Sequence, residues 1–173
     1  FEKKNQALIY GYAMYMYRTN SLTFSKNTLS SGYAYGVYFY YLNRYKSGSR
    51  NIITNNQVYA GNAMNNSYHY GMRMYYGDDI DFVYNSLHLN QPNPTSTNYG
   101  CYLYYSDASR VINNVFVTES TSSSNYGVYS YNATNIIAFD YNTWYSEGRT
   151  EAQVRYYWQG SFYNGFTAFK NGS

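Results

Sequence analysis

Short stretches of alternating hydrophobic and polar residues recur along this chain at intervals of about 29 residues. The stretch 99–116 shows the pattern most clearly: Tyr-Gly, then alternating apolar and tyrosine residues, a polar corner, a second apolar stretch and an asparagine. A period of two is typical of β-strands, whose successive side chains point to opposite faces. The pattern therefore predicts repeated units of short strands.

An asparagine marks the same point of every repeat. The five markers are Asn27, Asn56, Asn85, Asn114 and Asn142. They are separated by 29, 29, 29 and 28 residues, and the residues three before and two after each are apolar, although only 45% of the chain is apolar. We expect each asparagine to adopt a left-handed backbone conformation between two strands. We also expect it to hydrogen-bond to its equivalent in the next repeat.

A strand of about five residues buries its apolar face only when a copy stacks above and below it, which is the logic of a solenoid. The sequence thus predicts one all-β domain over residues 1–173, a parallel β-helix with coils at about 10–34, 35–69, 70–98, 99–125 and 126–162 and a partial coil at 163–173. Residues 164–169 are expected to open that sixth coil. No capping segment is evident at either end, so we interpret the chain as an excerpt from a longer protein.

Tyrosines supply the candidate binding surface, on the strand face opposite the apolar core positions. We expect one column to contain Tyr15, Tyr40, Tyr75, Tyr104 and Tyr131, flanked by Tyr38, Tyr102 and Tyr129. Stacked phenol rings stabilise a sheet through cross-strand contacts. An exposed aromatic strip also binds sugars or proteins. The two interpretations are compatible.

Three aspartates, Asp78, Asp79 and Asp81, are the candidates for calcium binding or acid–base chemistry. The repeat register places Asp81 beside Arg110 and Asp79 beside Arg50. Structural ion pairs are therefore favoured over a calcium-binding or catalytic site.

Other chemistry has little support in the sequence. His69 and His88 have no second histidine or cysteine at ligand spacing, so no metal and no cofactor are predicted. The dispersed net charge of +3 argues against a nucleic-acid partner, and no apolar run is long enough for a membrane-spanning helix. Cys101 has the inward strand parity and is expected to be a buried filler.

Residues 35–40 (Tyr-Gly-Val-Tyr-Phe-Tyr) and 51–58 (Asn-Ile-Ile-Thr-Asn-Asn-Gln-Val) resemble the right-handed parallel β-helix repeat of secreted bacterial proteins, including pectate-lyase-like enzymes. The tyrosine- and asparagine-rich composition is similar to repeats in surface or secreted proteins of Bacteroidota, many exported by the type IX route. The resemblance covers about residues 10–145 and implies a right-handed helix in a secreted or cell-surface protein. In the enzymes, catalytic Asp, Arg or Lys lie on one exposed sheet. Here that sheet offers tyrosines and a lone Arg73, so no catalytic residue carries over.

The leading functional hypothesis is a non-catalytic secreted or cell-surface segment that acts as a rigid stalk or adhesin module, with its tyrosine face contacting glycans or neighbouring proteins. One alternative is that the chain is part of a polysaccharide lyase or hydrolase whose catalytic coils lie elsewhere. Another alternative is that the chain is secretion cargo captured in a larger assembly, with the secretion machinery as its partner.

Overall fold

The computed structural model describes residues 11–32, 34–43, 49–61, 67–91, 94–133, 135–147 and 155–172. Five successive coils each contain three strands. These are β1 (Tyr12–Tyr17), β2 (Thr23–Ser25) and β3 (Thr28–Ser31); β4 (Tyr35–Tyr40), β5 (Asn51–Thr54) and β6 (Gln57–Gly61); β7 (Tyr68–Tyr75), β8 (Ile80–Val83) and β9 (Ser86–Gln91); β10 (Thr97–Tyr104), β11 (Arg110–Ile112) and β12 (Val115–Ser120); and β13 (Ser124–Tyr131), β14 (Ala138–Asp140) and β15 (Thr143–Glu147). Two further strands, β16 (Arg155–Trp158) and β17 (Ser161–Asn164), and the helix α1 (Phe166–Gly172) follow.

Each strand of a coil pairs in parallel with the equivalent strand of the next coil, so three sheets run along the stack. The first sheet has the order β1-β4-β7-β10-β13-β16-β17, the second contains β2, β5, β8, β11 and β14, and the third contains β3, β6, β9, β12 and β15. The predicted all-β parallel β-helix is confirmed.

The interior is filled by the apolar residues of the alternating pattern. Val37, Phe39, Met72 and Met74 on the first sheet are at most 1% exposed, and Cys101 is fully buried among them as expected. Burial of this kind is the main favourable contribution to folding. The pattern predicted these positions because their inward parity repeats in every coil.

A column of glycines explains the recurrent Tyr-Gly dipeptide. A Cβ built on Gly36 would lie 2.4 Å from the backbone oxygen of Gly71 and 3.1 Å from Val58 Cγ1, so this position faces the interior where successive coils approach closely. The next residue, Val37, also faces inward. Because two consecutive residues point inward, the strand changes parity at the glycine, and Tyr35 and Tyr38 lie on the same outer face, with ring centroids 6.0 Å apart.

The marker asparagines form one hydrogen-bonded column beneath the corner between the second and third sheets. Asn85 donates from its backbone nitrogen and from Nδ2 to Oδ1 of Asn114, at 2.9 and 3.1 Å. Its Nδ2 also donates to the backbone oxygen of Ile53 at 3.0 Å. The same two bonds to a side-chain oxygen join Asn56 to Asn85 and Asn114 to Asn142. Each carboxamide therefore fixes the height of the next coil.

The prediction of a left-handed backbone at these asparagines is wrong by one residue. The left-handed position is the residue before each marker, namely Lys26, Asn55, Tyr84, Asn113 and Tyr141, with φ between 52° and 59°. That residue turns the chain outward at the corner, whereas the marker side chain points into the stack.

The C-terminal part also differs from the sequence prediction. Residues 155–158 are the opening strand of the sixth coil, paired in parallel with β13, whereas the predicted bounds placed them within the fifth coil, 126–162. Residues 161–164 return antiparallel to them, and the expected strand at 164–169 is largely the helix α1. Phe169 is 5% exposed, and its ring stacks on Tyr156 at 4.9 Å. The helix thus covers part of the interior at this end, where no capping segment was expected.

Candidate binding surface: the tyrosine face

The outer face of the first sheet carries aromatic side chains in three columns, which we call the tyrosine face. The first column contains Tyr12, Tyr35, Tyr70, Tyr99, Tyr126 and Arg155; the second contains Tyr15, Tyr38, Arg73, Tyr102, Tyr129 and Tyr157; the third contains Tyr17, Tyr40, Tyr75, Tyr104 and Tyr131. Parallel in-register strands place equivalent side chains one above another. The columns therefore follow directly from the repeat.

The predicted column of five tyrosines contains one wrong member. Tyr15 pairs with Tyr38, and it is Tyr17 that pairs with Tyr40. The first coil is shifted by two residues because its equivalent of Tyr-Gly is Tyr12-Ala13, not the dipeptide at 10–11. Tyr10 lies outside the described residues.

The first column was not predicted as part of the surface. Tyr35, Tyr70, Tyr99 and Tyr126 are the first residues of the recurrent Tyr-Gly dipeptides, and strict alternation would have pointed them inward. Tyr35, Tyr70 and Tyr99 are 6–8% exposed and stack with centroids 5.0–5.1 Å apart. The recurrent glycine was the available signal, since a glycine inside a strand often marks a local irregularity.

Stacking within the third column determines which atoms reach the solvent. The rings of Tyr75 and Tyr104 are 4.4 Å apart with an interplanar angle of 12°, and those of Tyr104 and Tyr131 are 5.5 Å apart at 8°. The facing sides of these three rings are thus covered by one another, whereas the ring of Tyr40 is tilted by 54° to that of Tyr75. We infer that the column presents ring edges and hydroxyl groups outward. Between Tyr75 and Tyr131 a sugar would therefore meet hydroxyl groups and ring edges.

A fourth set of tyrosines borders the third column at the sheet corner. Tyr41, Tyr76 and Tyr105 have φ of 58°, 56° and 47°, which is unusual for a bulky residue and costs about 1 kcal/mol or more each. Their rings stack on one another at 5.1 and 5.2 Å. Tyr76 also meets Tyr75 edge-on at 4.7 Å. These ring contacts offset the backbone strain and extend the aromatic surface around the corner.

Four phenols of the tyrosine face are held in their neutral form by burial. Burial raises the pKa of Tyr102 to about 12, although the nearby Arg73 guanidinium partly offsets the rise. Burial likewise raises the pKa values of Tyr38, Tyr70 and Tyr99. The face therefore presents hydroxyl groups that both donate and accept hydrogen bonds.

The raised pKa values of the buried tyrosines predict that the protein unfolds at alkaline pH. A phenol with a raised folded-state pKa contributes stability that is complete below the unfolded value of 10 and is lost as the pH rises through the folded value, about 12 for Tyr102. We expect phenolate absorbance from the buried tyrosines to appear together with the loss of β-sheet circular dichroism. Complete phenolate formation around pH 10, with the β-sheet signal intact, would contradict the packed columns.

The aspartates lie on the second sheet and are used structurally. Arg50 Nε is 2.8 Å from Asp81 Oδ1, and Arg50 Nη1 is 3.5 Å from Asp79 Oδ1. Arg110 Nε approaches Asp81 Oδ1 less closely, at 3.7 Å. Arg50 Nη2 also donates to the backbone oxygen of Ala108 at 2.8 Å. Both predicted pairs are present, and Arg50 joins three coils.

The histidines are also engaged in local contacts. His88 Nε2 lies 2.7 Å from Glu119 Oε1 on the outside of the third sheet, and Asn90 Nδ2 donates to Glu119 Oε2 at 2.7 Å. His69 is buried and contacts the side chain of Gln91. Across the described ranges, no group of three or more histidine, cysteine, aspartate or glutamate side chains could hold a metal ion.

Comparison with known proteins identifies the family. No helix among the described residues is both long and apolar enough to cross a bilayer. No curated protein and no solved structure matches the chain. Residues 3–116, about two thirds of the sequence, match the family described as right handed beta helix region. Together with the three parallel sheets, this match shows that the chain belongs to the right-handed β-helix family.

Proposed function

We propose that this chain is a non-catalytic segment of a secreted or cell-surface protein and that its tyrosine face binds an extended glycan. The observation that carries the proposal is the alignment of neutral phenol hydroxyl groups in columns along the stack. Glycans are rich in hydroxyl groups, which both donate and accept hydrogen bonds as phenols do.

The spacing of the columns favours an elongated ligand. Adjacent rings of the third column from Tyr40 to Tyr131 have centroids 4.4–5.5 Å apart. This is close to the interstrand distance of about 4.8 Å. An extended sugar chain lying along the helix axis would meet a new set of phenols at every coil. A small ligand would use only one or two coils.

The distribution of acidic side chains supports a binding role over catalysis. Within the described ranges, the three columns contain no aspartate or glutamate, whereas Asp79 and Asp81 lie on another sheet beside Arg50. General acid–base catalysis needs a group that titrates near the working pH. The raised pKa values of Tyr38 and Tyr102 make their phenols poor bases.

The same stack would serve as a rigid support. The first five coils contact their neighbours through three sheets and through the asparagine column. A solenoid of this kind is a one-dimensional array whose stiffness comes from neighbour contacts. We therefore assign the segment the role of a stalk that displays the tyrosine face, as in an adhesin.

The test is a triple variant, Tyr75→Phe, Tyr104→Phe and Tyr131→Phe, which removes three hydroxyl groups and keeps the stacked rings. A hydrogen bond contributes about 1 kcal/mol, so we expect affinity for a bound glycan to fall about 10- to 100-fold. Binding is measured by calorimetry against soluble mixed-linkage β-glucan, xyloglucan and arabinoxylan, with product release followed in parallel.

Three exposed tyrosines away from the tyrosine face provide the matched control. Tyr59, Tyr84 and Tyr145 are 53–58% exposed, and their replacement by phenylalanine should leave affinity unchanged. Undiminished binding by the first triple variant would contradict binding through the hydroxyl columns. Cleavage of any glycan would contradict the non-catalytic assignment.

A further inference from the structure

Two positions of the tyrosine face are occupied by charged side chains, Arg155 at one end and Arg73 between tyrosines of the neighbouring coils. In the second column, Arg73 pairs with Tyr38 on one side and Tyr102 on the other. Its guanidinium carbon lies 4.7 Å from the ring centroid of Tyr38, 4.9 Å from that of Tyr70 and 5.1 Å from that of Tyr75. The cation is thus held in place by aromatic rings on several sides.

Among the described residues, the guanidinium of Arg73 has no anionic partner. Its Nε is shielded from solvent and makes no hydrogen bond within that part of the chain, and no carboxylate pairs with it there. By contrast, Arg50 and Arg110 both lie beside Asp81. A buried N–H donor without a hydrogen-bonding partner is costly, and the surrounding rings leave the N–H of Arg73 Nε unsatisfied. An anion from outside would supply the counter-charge that the guanidinium lacks among the described residues.

The geometry around Arg73 suits an oxyanion. The guanidinium is a planar fork of donors that matches a carboxylate or sulfate group through two parallel hydrogen bonds. The surrounding phenols of Tyr38, Tyr70 and Tyr102 stay protonated, since burial raises their pKa values, and can donate to the remaining oxygens. All these groups lie on the outer face, where the glycan proposed above would bind.

We propose that Arg73 is the binding site for a carboxylate or sulfate substituent and that the ligand of the tyrosine face is an acidic glycan. This inference rests on the proposed function and names the ligand class. The tyrosine columns hold the sugar chain through neutral hydrogen bonds, and Arg73 selects chains that carry an anionic group.

The experiment compares each acidic glycan with its own neutral form. Glucuronan and carboxyl-reduced glucuronan test the carboxylate source, and carrageenan and desulfated carrageenan test the sulfate source. We expect the wild-type chain to bind one of the acidic forms about tenfold or more tightly than its neutral form, because charge-assisted hydrogen bonds are stronger than neutral ones.

Arg73→Tyr is the informative variant because tyrosine occupies the equivalent position in the neighbouring coils. We expect it to fold and to lose the preference for the acidic form. Arg73→Lys keeps the charge without the planar fork and should retain a reduced preference. Lys26→Asn removes one positive charge at a corner where Asn55 and Asn113 stand in other coils, and it should keep the full preference.

The outcomes separate the two proposals. An unchanged acidic preference in Arg73→Tyr, with circular dichroism equal to that of the wild type, would overturn the assignment of Arg73. Equal binding of acidic and neutral forms by the wild type would overturn the ligand class but leave the glycan-binding proposal standing. Failure of every glycan to bind would overturn both.

Discussion

Replacing Asn85 with aspartate is expected to lower the free energy of unfolding by about 3–5 kcal/mol at neutral pH, the usual cost of an uncompensated buried charge. Asn85 is 1% exposed, and its Nδ2 donates to oxygens of Ile53, Val83 and Asn114. A carboxylate would instead face three oxygens without a donor of its own. Urea denaturation followed by circular dichroism measures the change.

The pH dependence and a control variant make this prediction specific. Burial among oxygens raises the pKa of a carboxyl group, so the destabilisation should shrink as the pH is lowered and the aspartate is protonated. Asn55→Asp places the same change at an exposed corner that tolerates aspartate, and it should alter stability by less than about 0.5 kcal/mol. Equal, small effects of the two substitutions would contradict the hydrogen-bonded asparagine column.

Replacing Gly61 with alanine is expected to cost about 3–5 kcal/mol, because backbone strain and steric overlap each cost about 1–3 kcal/mol. Gly61 ends β6 with φ of 140°, a conformation that alanine rarely adopts. A Cβ at this position would also lie 1.8 Å from the backbone oxygen of Asn90 in the next coil. Because the obstacle is backbone, the stack itself would have to open. The same urea titration reports the loss.

Two other glycines separate the contributions of strain and overlap. Gly160 has φ of 88°, and a Cβ added to it would have no atom within 4 Å, so Gly160→Ala should show the cost of strain alone, about 1–2 kcal/mol. Gly32 has an ordinary φ and equally open space around it, and Gly32→Ala should be neutral or slightly stabilising. If Gly61→Ala were no worse than Gly160→Ala, the close approach of β6 and β9 would be refuted.

The repeat itself could be predicted from the sequence because it rests on many residues at once. The asparagine spacing and the apolar residues around it fix the height and rotation of each coil, and a one-residue error would place Phe82 or Leu87 outside the core. The structure leaves both at most 2% exposed. Where the environment of a position repeats in every coil, its burial could therefore be predicted by comparing the repeats.

Features that occur only once in the chain could not be predicted by comparing repeats. Tyr15 was misplaced because the Tyr-Gly dipeptide at 10–11 lies two residues before Tyr12-Ala13, which is the true equivalent in that coil. The helix at 166–172 was missed because its aromatic residues fit a strand of the repeat about as well as a helix. There the burial of Phe169 against Tyr156 and Trp158 favours the helix. Tertiary packing thus overrides the local pattern at the end of the stack.

The tyrosine face could be predicted only in part from the sequence, for a related reason. Strand parity identified the outer face but not the orientation of the rings, and it is the stacking of Tyr75 on Tyr104 that hides the ring faces and presents the hydroxyl groups. The environment of Arg73 likewise depends on rings from three coils, including Tyr38 and Tyr102. Neither property belongs to a single residue or spacing.

The most direct test of the tyrosine face as an extended glycan-binding surface is a calorimetric series of oligosaccharides of increasing length, taken from whichever glycan binds. The columns predict that affinity rises with each added sugar until the chain spans the stacked coils, because every coil adds its own phenol hydroxyl groups. Affinity that reaches its full value with one or two sugars would indicate a local pocket and would contradict the account.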